Sequence, residues 1–163
     1  MNPVIRTRPI SADAFAPFGD VIDVSGSPDV IINQGFCERH HDRAKLDFGG
    51  GRAGISLFRA KPRALPLRLD MMESHPLGSQ AFIPMSLDSF LAVVAEDRDG
   101  TPGRPRAFVT EPGQAINLHR GCWHGVLTPL HAPGLFAVID RIGDGRNLEE
   151  HWFDQSFIIE TGS

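Results

Sequence analysis

The chain has 163 residues, 41% hydrophobic and 22% charged, which suits one globular domain with its own core and excludes a disordered chain. A formal net charge of −4 with no lysine-rich run or basic helix argues against a nucleic-acid partner. No apolar stretch approaches a membrane span or a signal peptide, and Cys37 and Cys122 lie in no Cys-x-x-Cys spacing, so neither a disulfide framework nor a zinc knuckle is expected. One cytoplasmic domain over residues 1–163, without a nucleic-acid or membrane partner, is the expectation.

Glycine and proline recur at short intervals, the pattern of many short strands joined by tight turns. Ser11 is an N-cap before Ala12-Asp13-Ala14-Phe15-Ala16, and Pro17 and Gly19 close that short helix. Strands are predicted over 20–24, 53–61, 65–75, 80–85, 90–95, 106–110, 115–119, 125–130, 135–141 and 157–160. A polar turn region occupies 96–105, and a short helix is predicted within 143–152. So many strands in one small domain read as an all-β sandwich or barrel.

The segment 65–75 carries the clearest chemistry. Leu65, Leu67, Leu69, Met71, Glu73 and His75 alternate, so a strand would turn all six to one face. Four are apolar, which points that face at the core and delivers a carboxylate and an imidazole to the interior, unless both simply reach solvent at the strand end. Burying such groups costs several kcal/mol unless they are paired, metal-bound or given a wet cavity.

Other candidates extend the same pocket. Gln80 starts the alternation Gln80, Phe82, Pro84, and Arg59 ends Ile55, Leu57, Arg59, where an inward guanidinium would suit a carboxylate. Asn117 and His119 share one face of their strand. Arg120-Gly121-Cys122 then breaks it, and a turn at Gly121 would let His119 and His124 face one cavity. Asp140 shares a face with Phe136 and Val138, either orienting a histidine or pairing with Arg141. Cys122, beside two histidines but without a third partner, reads as a buried inert thiol. Gly49-Gly50-Gly51 lacks the Lys-Ser/Thr of a phosphate-binding loop, and no Gly-x-Ser-x-Gly elbow is present.

Glu73-x-His75, Gln80 and His124 have the spacing of the cupin metal set, His-x-His, a Glu five residues on and a distant His. Here Glu replaces the first histidine and Gln the acid. A divalent ion would find two imidazoles and a carboxylate, with one charge fewer to hold it.

Ile32-Asn33-Gln34-Gly35, Glu38-Arg39-His40-His41-Asp42, Ile55-Ser56-Leu57-Phe58-Arg59-Ala60, the stretch His75 to Met85, Asn117-Leu118-His119-Arg120-Gly121-Cys122-Trp123-His124 and Ile139-Asp140-Arg141 together resemble the ureidoglycolate lyase family, over nearly the whole chain and least from Gly143 onwards. The resemblance implies an antiparallel, jelly-roll type cupin-like β-barrel with a short N-terminal helix. It also implies a homodimer that splits ureidoglycolate into glyoxylate and urea in allantoin breakdown. Within it, His75 or His124 is expected as base and His119 as acid. Arg59 would clamp the carboxylate, Gln80 and Asn117 would bind the ureido group, and Glu73 would orient His75. No cofactor is required, with a divalent metal on Glu73, His75, Gln80 and His124 as the variant. A metal-dependent cupin dioxygenase or isomerase, an amidohydrolase releasing ammonia, and a non-catalytic sensor are the rivals.

Overall fold

Ser11 caps the one α-helix as its residue type suggests. Its extended backbone lets Oγ accept the Ala14 N–H at 3.2 Å, and the single turn α1 (Ala12–Phe15) buries Phe15 completely. In the computed structural model, which describes residues Met1–Ser163, the strands follow in chain order. They are β1 (Val4–Pro9), β2 (Gly19–Ile22), β3 (Val30–Ile32), β4 (Cys37–Arg39), β5 (Arg52–Arg59), β6 (Leu67–Ser74), β7 (Gln80–Pro84) and β8 (Phe90–Ala95). The second half of the chain adds β9 (Asp97–Arg98), β10 (Thr101–Pro102), β11 (Arg106–Val109), β12 (Ala115–Leu118), β13 (Trp123–His124), β14 (Thr128–Pro129), β15 (Leu135–Ile142) and β16 (Glu149–Glu160).

Six strands in the order β8–β11–β1–β16–β6–β13 close back on β8 as a barrel. Ile5, Leu67, Leu69, Met72, Leu91, Val93, Trp123 and Ile159 fill its interior. A five-stranded sheet, β2-β12-β7-β15-β5, packs outside it. Between the two layers lie Phe82, Ile116, Leu118, Phe136 and Val138 from the sheet, Phe90, Val94 and Phe108 from the barrel, and Phe15 and Phe18 from the α1 region. Strand β8 is therefore buried on both faces, which explains why Phe90–Ala95 is apolar without alternation. Each such side chain contributes about 1.5–3 kcal/mol by leaving water.

The structure is all-β and barrel-like as expected, and it departs from the sequence reading in several places. Strand β1 runs parallel to both β11 and β16, so the barrel is not wholly antiparallel; its outward Arg6 and Arg8 mask the strand in the sequence. The helix expected within 143–152 is absent. Gly143-Asp144-Gly145 turns instead, with Gly145 at φ 97°, and β16 starts at Glu149.

Third, the unbroken alternation from Leu65 to His75 fails. Leu67, Leu69 and Met72 all enter the barrel, so the side-chain parity shifts between Leu69 and Met72. The shift falls where the pairing with β16 changes register, from Trp152 opposite Met71 to Phe157 opposite Leu69. Glu73 then emerges on the outer side of the barrel, directly opposite His124.

Fourth, Ile55, Leu57 and Arg59 face out. Strand β5 is an edge strand whose Phe58 and Ser56 lie opposite the inward Phe136 and Val138, which leaves Ile55 75% and Leu57 65% exposed. A period of two separates the faces of a strand but does not say which one meets the core.

Candidate active site between the barrel and the second sheet

His124 lies between Glu73 and Val94 in the barrel wall. Val94 is fully buried in the layer between barrel and sheet, so the His124 ring, 4% exposed as a residue, enters that layer too. His75 follows the end of β6 and reaches the same place, its ring centroid 5.1 Å from that of His124. Glu73 completes the group: one ligand atom from each of Glu73, His75 and His124 lies within 4.8 Å of the others.

Hydrogen bonding sets the chemistry of the rings. His75 Nδ1 lies 2.8 Å from the Asn147 carbonyl and His124 Nδ1 2.9 Å from the Gly125 carbonyl. A carbonyl only accepts, so both Nδ1 atoms carry the proton, and Nε2 is the ring nitrogen left to present a lone pair. Both Nε2 atoms are buried without a partner. Burial drives the His124 pKa down to about 4, the neighbouring His75 adds to that, and the Gly125 carbonyl offsets only part of it. His124 is therefore neutral at pH 7. Burial likewise pushes the half-buried Glu73 carboxyl above its usual value; His75 partly counters this and Glu150 adds to it.

The second sheet supplies the opposite wall. Gln80 points inward with Phe82, whose ring centroid is 6.5 Å from that of His124. Its Nε2 donates to Asp140 Oδ2 at 3.1 Å from the neighbouring strand, which leaves Oε1 buried and unpartnered. The apolar side of His124 leaves little space: the cavity there, lined by Phe82, Ile116, Leu118 and Leu127, measures about 20 Å³, room for one water.

The turn that carries His75 is tied on two sides. Asn147 Oδ1 accepts the Leu77 N–H at 2.8 Å while its backbone carbonyl holds the ring. On the other side the Gly121 N–H donates to the His75 carbonyl at 3.0 Å, and Ser74 Oγ donates to the Gly121 carbonyl at 3.1 Å. Gly121 sits at φ +79°, a conformation glycine adopts freely, so the 119–122 turn can return as β13. Sequence reasoning missed Asn147, which lies far along the chain from His75 in a segment without periodicity.

Of the sequence candidates, Glu73, His75 and His124 thus converge, while Gln80 and Asp140 pair with each other on the sheet face that carries Phe82 beside His124. Three others lie elsewhere. Arg59 is on the exposed face of β5. Asn117 and His119 project from the outer face of the second sheet, opposite Ile116 and Leu118, where Asp20 Oδ2 accepts from Lys45 N at 2.9 Å, Asn117 Nδ2 at 3.0 Å and His119 Nε2 at 3.2 Å. The Gly121 turn redirects the chain, yet His119 precedes it and keeps the face of Asn117. His119 instead borders an open cleft with Asp20, His41 and Arg43.

Two supporting roles also change. His75 is oriented by Asn147, not Glu73. Asp140 holds Gln80, while Arg141 leaves on the opposite face and donates to the Phe48 carbonyl at 3.1 Å. Burial pushes the Cys122 thiol up to about 12, which fits an inert thiol.

Residues 2–160 match the ureidoglycolate lyase family. A ureidoglycolate lyase of Rhodobacter capsulatus is 60% identical over 157 residues, covering 96% of this chain and 98% of that protein. Ureidoglycolate lyase 2 of Rhizobium meliloti is 50% identical over 94% of this chain and 95% of its own length. The Agrobacterium fabrum ureidoglycolate lyase is 46% identical over 100% of this chain and 99% of its own. With end-to-end similarity of this kind and the expected barrel in place, this chain belongs to the ureidoglycolate lyase family.

Proposed function

We propose that this chain cleaves ureidoglycolate to glyoxylate and urea, a cytoplasmic step of allantoin breakdown. The observation that carries this reading is the pair of buried, unpartnered Nε2 acceptors beside a carboxyl of raised pKa. Ureidoglycolate holds a hydroxyl, a carboxylate and a ureido nitrogen on one carbon. Cleavage takes the hydroxyl proton, turns the C–O bond into a carbonyl, breaks the C–N bond and protonates the departing nitrogen.

His75 Nε2 is assigned as the base that takes the hydroxyl proton. His124, held neutral, accepts a hydrogen bond and orients the substrate. Glu73, whose raised pKa favours the protonated form, returns a proton to the urea nitrogen, and Gln80 Oε1 accepts from the ureido NH₂.

A divalent metal is the second reading, and the same lone pairs favour it. His75 Nε2, His124 Nε2, a Glu73 oxygen and Gln80 Oε1 fit as its ligands, with each imidazole already oriented through its Nδ1–H. When bound, such an ion supplies positive charge to the substrate's oxygens, a role the outward-facing Arg59 does not fill.

The test is product analysis in a urease-free assay, before and after chelation, with His124→Ala alongside. Equimolar glyoxylate and urea with kcat down ~10²-fold in the variant are expected. Ammonia in place of urea, or wild-type turnover by His124→Ala, overturns the assignment. Activity lost on chelation and restored by metal selects the second reading.

A homodimer through the outer face of the second sheet belongs to the same proposal. Ile55, Leu57 and Met85 are 75%, 65% and 53% exposed there, beside the partly covered Leu135, Ala137 and Ile139. Contiguous apolar patches of this kind mark protein interfaces. Light scattering should report a dimer for the wild type and a monomer for Leu57→Asp; a wild-type monomer refutes it.

A further inference from the structure

The opposite flank of the barrel holds a cleft of about 340 Å³ lined by Arg6, Arg8, Arg98, Arg104 and Arg106, with Glu96 at its edge. These arginines come from separate elements: Arg6 and Arg8 alternate outward on β1, Arg106 opens β11, Arg98 ends β9, and Arg104 follows β10. Their partners are few and exposed. Arg6 meets Glu160 at 3.5 Å, Arg98 meets Glu96 at 3.7 Å, and Arg104 Nη2 donates to the Val4 carbonyl at 3.4 Å. Arg106 lies over the Phe18 ring, 5.7 Å from its centroid. Arg8 has neither a hydrogen bond nor an ion pair through its side chain.

Five guanidinium groups therefore face two carboxylates, an excess of three positive charges on a chain whose formal net charge is −4. Like charges on one face of neighbouring strands repel, and the two exposed carboxylates offset only part of that repulsion. A half-enclosed cleft focuses such a field. Guanidinium forks match phosphate oxygens two at a time, and the volume lies in the range of small-ligand sites. The concentration of charge in one cleft of an otherwise acidic chain favours a compact ligand over an extended one.

We propose that this cleft binds a compact phosphate-based anion of three or more charges, such as a triphosphate group. The site is separate from the histidine pair, and its ligand is not the substrate of the proposed reaction.

The test is calorimetric titration of the full chain with sodium tripolyphosphate at low salt, with citrate and a single-stranded oligonucleotide as parallel arms. One saturable site per chain is expected, weakened about tenfold or more in Arg8→Glu. Arg63→Glu, which makes the same change in net charge outside the cleft, should bind within about twofold of wild type. Arg104→Gln gives a second reading of the site should Arg8→Glu fail to fold. Basal activity should be unchanged in all three variants. Absence of saturable binding, equal weakening by Arg63→Glu and Arg8→Glu, equal affinity for citrate, or tighter binding of the oligonucleotide would each overturn the proposal.

Discussion

Asn147→Ala separates positioning of His75 from simple stability. The substitution keeps the backbone carbonyl that accepts His75 Nδ1–H and removes the Oδ1 that accepts the Leu77 N–H at 2.8 Å. Loss of one neutral hydrogen bond costs about 1 kcal/mol net, and more where the donor is left dry. For a domain of this size that lowers Tm by roughly 2–4 °C per kcal/mol. The turn itself stays attached, because the Gly121 N–H still holds the His75 carbonyl at 3.0 Å and the Asp47 carbonyl still accepts the Ser79 N–H at 2.7 Å.

What is released is the link between that turn and the segment bearing the Asn147 carbonyl. Displacing a catalytic group by about 1 Å costs ~10²-fold in rate. With the other ties retained, kcat should fall about 10–100-fold, the usual scale for losing a group that orients a histidine, while KM changes little. Asn147→Asp keeps an acceptor at the position and should recover most of the activity. The assay is urea and glyoxylate release at saturating substrate, paired with thermal melts. A variant that loses the expected stability yet turns over within twofold of wild type would show that Asn147 does not position His75 for the reaction.

His119→Ala should leave kcat within a few-fold of wild type, because the ring sits against Asp20 on the outer face of the second sheet; a 10²-fold loss in the same assay would place that face in the mechanism. Asp20 gives a stability signature. Burial alone would raise its pKa, but hydrogen bonds from Asn117 and the Lys45 backbone, with the attraction of His119, outweigh burial and hold it below 3.8. Its contribution is thus complete above that value and fades as pH falls through the lower folded pKa, so denaturant melts between pH 5 and pH 3 should show a shallower decline for Asp20→Asn than for wild type. Cys122, with a pKa near 12, is almost wholly protonated at pH 8. A disulfide-exchange reagent should therefore titrate Cys37 in the native protein and reach Cys122 only after unfolding; rapid modification of both in the native protein would contradict the burial assigned to Cys122.

Local chemistry carried much of the fold into the sequence. Ser11 before Ala12-Asp13-Ala14 marked the helix start because a cap needs only its own first turn. The apolar run Phe90–Ala95 and the alternations at 80–84 and 115–118 marked strands because side-chain direction is a property of the single strand. The residues of the candidate site were legible to the same extent: Glu73, His75, Gln80 and His124 stood out as polar groups on apolar faces. Which face meets the core, however, depends on pairing between strands that the chain joins only over long distances. That is why Ile55-Leu57-Arg59 read as inward and lies outward, and why the parity of β6 changes where its register with β16 shifts. His119 and Asn147 show the same limit from opposite sides. One is five residues from His124 and faces away from the pair, whereas the other is remote in sequence and holds the His75 ring by a 2.8 Å hydrogen bond. Residue type and period are written along the chain; convergence is created by closing the barrel and laying a second sheet against it.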